Sequence, residues 1–130
     1  MTDSILLDVR PACNVEESDS SFDSKLIPLI NSQIMMAHQF GVGYDGFTVT
    51  GIKETYQDLL GEHAAKLAAF RTWLGLSVCL IFDPPENGSV LKAMQDQILK
   101  MEWMLRAKTE QDGYVKDYVP EHADVYDFDD

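Results

Sequence analysis

Phe70-Arg71-Thr72-Trp73-Leu74-Gly75-Leu76-Ser77-Val78-Cys79-Leu80-Ile81-Phe82-Asp83-Pro84-Pro85-Glu86-Asn87-Gly88-Ser89 decides the fold. Leu67, Phe70, Trp73, Leu74, Val78, Ile81 and Phe82 recur at three- and four-residue steps, with alanines and Cys79 between them, which predicts a long helix over 62–82. After Phe70 it is apolar on most sides, so it belongs at the centre of a bundle or carries an additional partner surface. Gly75 costs a helix about 1 kcal/mol against Ala, a cost accepted where a neighbouring helix comes close. Asp83-Pro84-Pro85 stops the helix, because neither proline can donate and Pro84 biases Asp83 away from helical geometry. Phe82, Asp83, Pro84, Pro85, Asn87 and Ser89 then form a structural turn that supplies the N-cap of the next helix.

That next helix is predicted from Val90 to about Lys108. Leu91, Met94, Ile98, Met101 and Leu105 step 3-4-3-4, a seam that packs antiparallel on the preceding helix. Leu99, Trp103 and Met104 lie off the seam, so Trp103 either widens the core face or meets another subunit. Trp73 and Trp103 are the candidate subunit-interface residues.

Toward the N-terminus, Ile5, Leu6, Val9 and Ala12/Cys13 predict a short helix over 4–13, ending near Pro11. Ser20 and Asp23 have capping-box spacing and start a second helix carrying Leu26, Ile27, Ile30, Ile34, Ala37 and Phe40. Pro28 should bend that helix, or stand at its first position; one continuous stripe favours a single helix. Gly41 follows Phe40 as its stop. Phe47-Thr48-Val49-Thr50 alternates and is β-branched, which predicts a short extended segment near 47–50. Glu54–Leu60 makes two helical turns closed by Gly61. The fold class is all-α: a small bundle of about four helices.

The 130-residue chain is long enough for one domain with a core of its own, and 45 % of its residues are apolar. No apolar run approaches the ~20 residues of a membrane span. The opening Met1-Thr2-Asp3-Ser4 lacks the basic region of a signal peptide, so an intracellular, reducing setting is expected. Cys13 and Cys79 are read as small core residues.

The net charge is −12, and it is uneven. Residues 109–130 hold eight acids and one base, Lys116. Without clustered Lys and Arg, specific nucleic-acid binding and attraction to an anionic membrane are both disfavoured. The domain is therefore divided into a helical body, 1–108, and an extended acidic arm, 109–130. Plain solvating tails are poor in aromatics, yet this one holds Tyr114, Val115, Tyr118, Val119, Tyr126 and Phe128, which mark it as a partner-binding arm.

A search for chemistry finds no constellation. His38, His63 and His122 form no HExxH pair, and neither cysteine has a neighbour that would mark a reactive thiolate. Gly41-Val42-Gly43 follows a helix, not a strand, so it is not a dinucleotide loop. The acids of 124–130 lack the Gly and distal Glu of an EF-hand. No catalytic, cofactor or metal residue is assigned, and a non-enzymatic role is expected.

Ser21-Phe22-Asp23-Ser24-Lys25-Leu26-Ile27-Pro28-Leu29-Ile30-Asn31-Ser32, Gln39-Phe40-Gly41-Val42-Gly43, Phe82-Asp83-Pro84-Pro85-Glu86-Asn87-Gly88-Ser89 and Met101-Glu102-Trp103-Met104-Leu105 together resemble the head–tail connector (adaptor, or head-completion) proteins of tailed bacteriophages. The resemblance covers residues 4–106. The chain departs from it at Met104, where similar proteins often carry Arg, and in the apolar run Trp73–Leu80, where they carry basic residues. The resemblance implies a structural virion protein made in the host cytoplasm and placed in the neck between capsid and tail. It implies a ring of copies of this chain, dodecameric in similar proteins, that docks on the portal protein through the C-terminal arm and offers a surface to a stopper or tail-completion protein. DNA would pass through the channel without specific binding, and an acidic lumen would repel it over about 8 Å at physiological salt. The competing reading is an acidic DNA mimic that inhibits a DNA-binding enzyme; a mimic should spread its acids over the body, which here is only mildly acidic.

Overall fold

The structure is a computed structural model, and it describes residues 3–39, 41–61 and 67–112. Among the described residues five helices follow in order: α1 (Ile5–Ala12), α2 (Asp23–Gln39), α3 (Tyr56–Leu60), α4 (Leu67–Phe82) and α5 (Gly88–Asp112). The all-α expectation holds, with one helix more than the bundle of about four.

Polar groups at the helix ends explain the boundaries. Ser4 caps α1, accepting from the Leu7 N–H at 3.4 Å while its hydroxyl donates to the Ile52 carbonyl at 2.8 Å. The backbone before α1 bridges that before α3, with Ile5 N–H to Glu54 O at 3.1 Å and Tyr56 N–H to Asp3 O at 3.0 Å. Thr55 and Asp58 make a reciprocal capping box on α3. Pro11 sits inside the last turn of α1, and the helix stops at Asn14, which takes a φ of 63°. Val15 N–H reaches back to the Arg10 carbonyl at 2.9 Å and Asn14 N–H to Pro11 at 3.0 Å. The end of α2 repeats this pattern, with Gly41 at φ 93° and Val42 N–H on the Ala37 carbonyl at 3.1 Å. Both are left-handed stops that satisfy carbonyls the helix leaves open.

Helix α2 runs unbroken through Pro28, so the single-helix reading is the correct one. A proline inside a helix costs about 3 kcal/mol. Burial of Leu26, Ile30, Ile34 and Ala37 along one stripe offsets that cost, since a buried aliphatic side chain contributes roughly 1.5–3 kcal/mol. Asp23, expected to box with Ser20, instead grips Arg10: Nε to Oδ1 at 3.1 Å and Nη2 to Oδ2 at 2.6 Å. Arg10 also donates from Nη1 to the Glu17 carbonyl at 2.6 Å. This buried fork ties α1, the loop after it and the start of α2 together.

Helix α4 is central, packing on α1, α2 and α5. Phe70, Trp73, Leu74 and Val78 are fully buried against these neighbours. A Cβ at Gly75 would stand 3.1 Å from Ala12 Cβ, so the glycine lets α1 lie close on α4. Helix α5 makes its main contact with α4 alone. Its predicted seam faces α4: Met101 and Leu105 are buried, while Leu91, Met94 and Ile98 are half-buried. The helix begins at Gly88 and runs to Asp112, past the compositional change at 109, so the expected arm loses its first four residues to α5.

Among the described residues there is no strand at 47–50. The segment is held by one side chain instead: Asn31 Nδ2 donates to Val49 O at 3.0 Å and Asn31 Oδ1 accepts from Val49 N–H at 2.7 Å. Asn31 thus pairs both backbone groups of a buried residue, as a strand would. Asn31→Leu should cost about 2 kcal/mol, because it strands a buried N–H and C=O, with Asn31→Asp losing only the donor arm and costing less. Urea midpoints for the three proteins would check this order; equal midpoints for wild type and Asn31→Leu would refute it.

Candidate interaction surface

Among the described residues the reactive side chains do not converge into a site. The Cys13 thiol is pushed up to about 12, by burial first and then by Cys79 and Asp83 nearby. Burial and Asp83 also raise Cys79. Thiols held protonated are poor nucleophiles. Sequence reasoning placed both in the core separately, yet the α1–α4 packing makes them neighbours. Tyr56, Asp8 and Arg71 form a second cluster, with the Tyr56 hydroxyl on Asp8 Oδ2 at 2.6 Å and the Arg71 guanidinium 4.5 Å over the Tyr56 ring. Burial and the Asp8 carboxylate raise the Tyr56 phenol above its ordinary value. This cluster ties α1, α3 and α4 to one another. Among the described residues no group of three or more His, Cys, Asp or Glu could hold a metal ion. No described helix is long and apolar enough to cross a membrane.

The outside of the bundle is more informative. The two tryptophans expected at a subunit interface part company. Trp73 is completely buried, its ring 5.8 Å from that of Phe70 and its Nε1 donating to Glu102 Oε2 at 3.1 Å. It is therefore a core residue of the single subunit, not a surface one; the apolar run around it fills the centre of the bundle. Trp103 is 75 % exposed. It does not widen the core, because it stands half a helical turn from Met101 and Leu105. Leu99, one turn before it, is 63 % exposed, and Met104 is 52 % exposed. Lys100 and Arg106 bracket Trp103 at three residues either side. An apolar pair flanked by bases thus covers the outward face of α5.

A second apolar region lies on α2, where sequence reasoning placed none. Met35 and Met36 fall between the buried Ile34 and Ala37 and are 69 % and 50 % exposed. Two methionines off the stripe were the available signal. Tyr44 and Phe47 meet edge to face at 5.6 Å beside them. Between Met35, His38, Tyr44, Asp45 and Phe47 lies an open cleft of about 140 Å³.

Local hydrogen bonds build the turn between α4 and α5. Asp83 N–H reaches Cys79 O at 2.8 Å, and Asn87 Oδ1 accepts from Ser89 and Val90 N–H at 2.8 and 3.2 Å, capping α5. Phe82 packs edge to face on Phe22 at 5.7 Å. The arm residues Tyr114, Val115, Tyr118, Val119, Tyr126 and Phe128 lie outside the described residues.

No curated protein and no solved structure matches this chain. The sequence model of one family, described as phage connector protein, matches residues 5–112, which is α1 through the last residue of α5. With five-sixths of its length matched, the chain belongs to the phage connector protein family.

Proposed function

We propose that this chain is the repeating subunit of a ring in the virion neck, docked on the portal and extending the DNA channel toward a stopper or the tail. A structural role among the head and tail proteins of a phage follows from family membership. The ring, the portal contact and the tail-side contact are the further step. The observation that carries it is Trp103, three-quarters exposed on a helix whose main contact is with α4. A free subunit gains nothing from a solvated indole bracketed by bases, whereas buried Trp and Arg anchor protein interfaces.

The surplus of acids fits a channel wall that must not retain DNA, since each copy adds a net charge of −12 to the ring. Sedimentation of the purified protein with and without portal tests the reading. Assembly that is strong, or that needs portal, supports it; a protein that stays monomeric and ignores portal refutes it.

The acidic aromatic segment is assigned to the portal contact. Removing residues 113–130, beyond the last residue of α5, should abolish portal binding while shifting the melting temperature of the body by less than about 2 °C. Thermal unfolding and portal co-sedimentation of the truncated chain check the two halves of that expectation. Retained portal binding would refute the assignment; lost inhibition of a DNA-binding enzyme instead would favour the DNA-mimic reading.

A further inference from the structure

The structure carries an exposed indole on α5 and an open cleft beside α2, and this inference rests on the ring reading above. We infer that Trp103 of one copy seats in the Met35–Tyr44–Phe47 cleft of the next copy, forming the contact that repeats around the ring.

Three observations converge. The first is placement. Helix α4 lies between α2 and α5, each of which packs on it. The exposed residues of α5, Leu99 and Trp103, and those of α2, Met35 and Met36, therefore lie on two different helices that each make their main contact with α4. Two different patches join copies head to tail, and such a contact closes into a ring when its rotation permits. A patch that met its own copy would give a closed pair instead.

Size is the second observation. The cleft holds about 140 Å³. An apolar cavity of about 150 Å³ accepts a benzene ring. One aromatic ring system is thus the natural occupant, and Trp103 is the most exposed large apolar side chain among the described residues. The walls suit it: Met35 supplies an adaptable thioether that packs well on aromatic rings, and the Tyr44–Phe47 pair offers ring edges and faces.

Charge is the third. Lys100 and Arg106 bracket the tryptophan, and the exposed Asp45 stands at the rim of the cleft. Opposite charges around an aromatic anchor set register and favour the correct partner over wrong ones. Lys100 and Arg106 put two bases within one turn of the residue that has to dock.

The test uses the full chain, incubated with portal under conditions where rings form. A photo-reactive phenylalanine analogue at position 103, in a mixture of isotopically light and heavy copies, should cross-link to residues 34–47 of a different copy. Trp103→Ser should raise the concentration for half-assembly at least about 30-fold, the scale of an interface anchor, with the melting temperature unchanged. Lys100→Glu should also weaken assembly, and adding Asp45→Lys to it should restore part of the loss. Rings that form normally with Trp103→Ser, or cross-links from position 103 that fall only on the portal or on residues 113–130, overturn this contact and leave the ring reading standing. A chain that remains monomeric in the presence of portal overturns both.

Discussion

Arg10→Met should destabilise the subunit by about 3 kcal/mol, because it leaves the Asp23 carboxylate at a helix junction without its partner. Removing one member of a buried ion pair costs roughly 3–5 kcal/mol. The lower end applies here, since Arg10 is 5 % exposed but Asp23 is 23 % exposed and regains some water. The guanidinium also holds the Glu17 carbonyl, so the loop between α1 and α2 loosens with it. Arg10→Lys should recover little of the loss. A lysine has one charged nitrogen, whereas this site uses three nitrogens of a planar fork. Replacing both partners, Arg10→Met with Asp23→Leu, should regain much of the stability, as apolar isosteres of buried pairs commonly do. Urea unfolding of the four proteins measures each step. A single Arg10→Met variant within 1 kcal/mol of wild type would show that the fork is incidental to the fold.

Trp73→Ala carries the other large effect, about 4 kcal/mol. Truncating a buried tryptophan costs roughly 3–5 kcal/mol through lost burial and the cavity left behind. Trp73 has no exposed surface and stands where α4 faces α5, so the hole opens between the two longest contacts of the bundle. Trp73→Phe separates packing from polarity: it keeps most of the ring and removes the donor to Glu102. Its cost should be near 1–2 kcal/mol, the scale of a hydrogen bond to a charged group plus a smaller cavity. Chemical denaturation followed by far-ultraviolet circular dichroism reads both. If Trp73→Ala unfolded at the same urea concentration as wild type while reducing assembly, the residue would be an interface anchor after all, and its burial in the single subunit would be immaterial.

Much of this arrangement is legible in the residues. The 3-4-3-4 seam of α5, the Asp83-Pro84-Pro85 stop and the Asn87 cap are local signals, and α4 ends and α5 is capped where they place it. The central position of α4 follows from apolar residues on nearly every side. Other features are long-range, and no local pattern reports them. Asn31 reads as a neutral polar residue on a helix until Val49 is brought beside it by the turn at 41–46. Arg10 and Asp23 read as a last-turn base and a first-turn acid, both ordinary helix-end choices, and only the packing of α1 on α2 turns them toward each other. The two tryptophans look alike in sequence, since both lie in apolar runs of long helices. Which of them is covered depends on how many helices surround each one: three around α4, one beside α5. The end of α5 was misjudged by composition. Acids at 110 and 112 mark a change of charge, but Glu and Gln propagate a helix well, so the backbone continues through a boundary that charge alone suggested.

A helix fastened mainly along one side leaves much of its other side uncovered by the rest of the bundle. The exposed residues at 92, 96, 99, 100 and 103 can vary with little effect on α4, so long as they remain compatible with a helix. Were that flank the contact proposed above, selection could rewrite its pairing while the scaffold beneath it stays fixed.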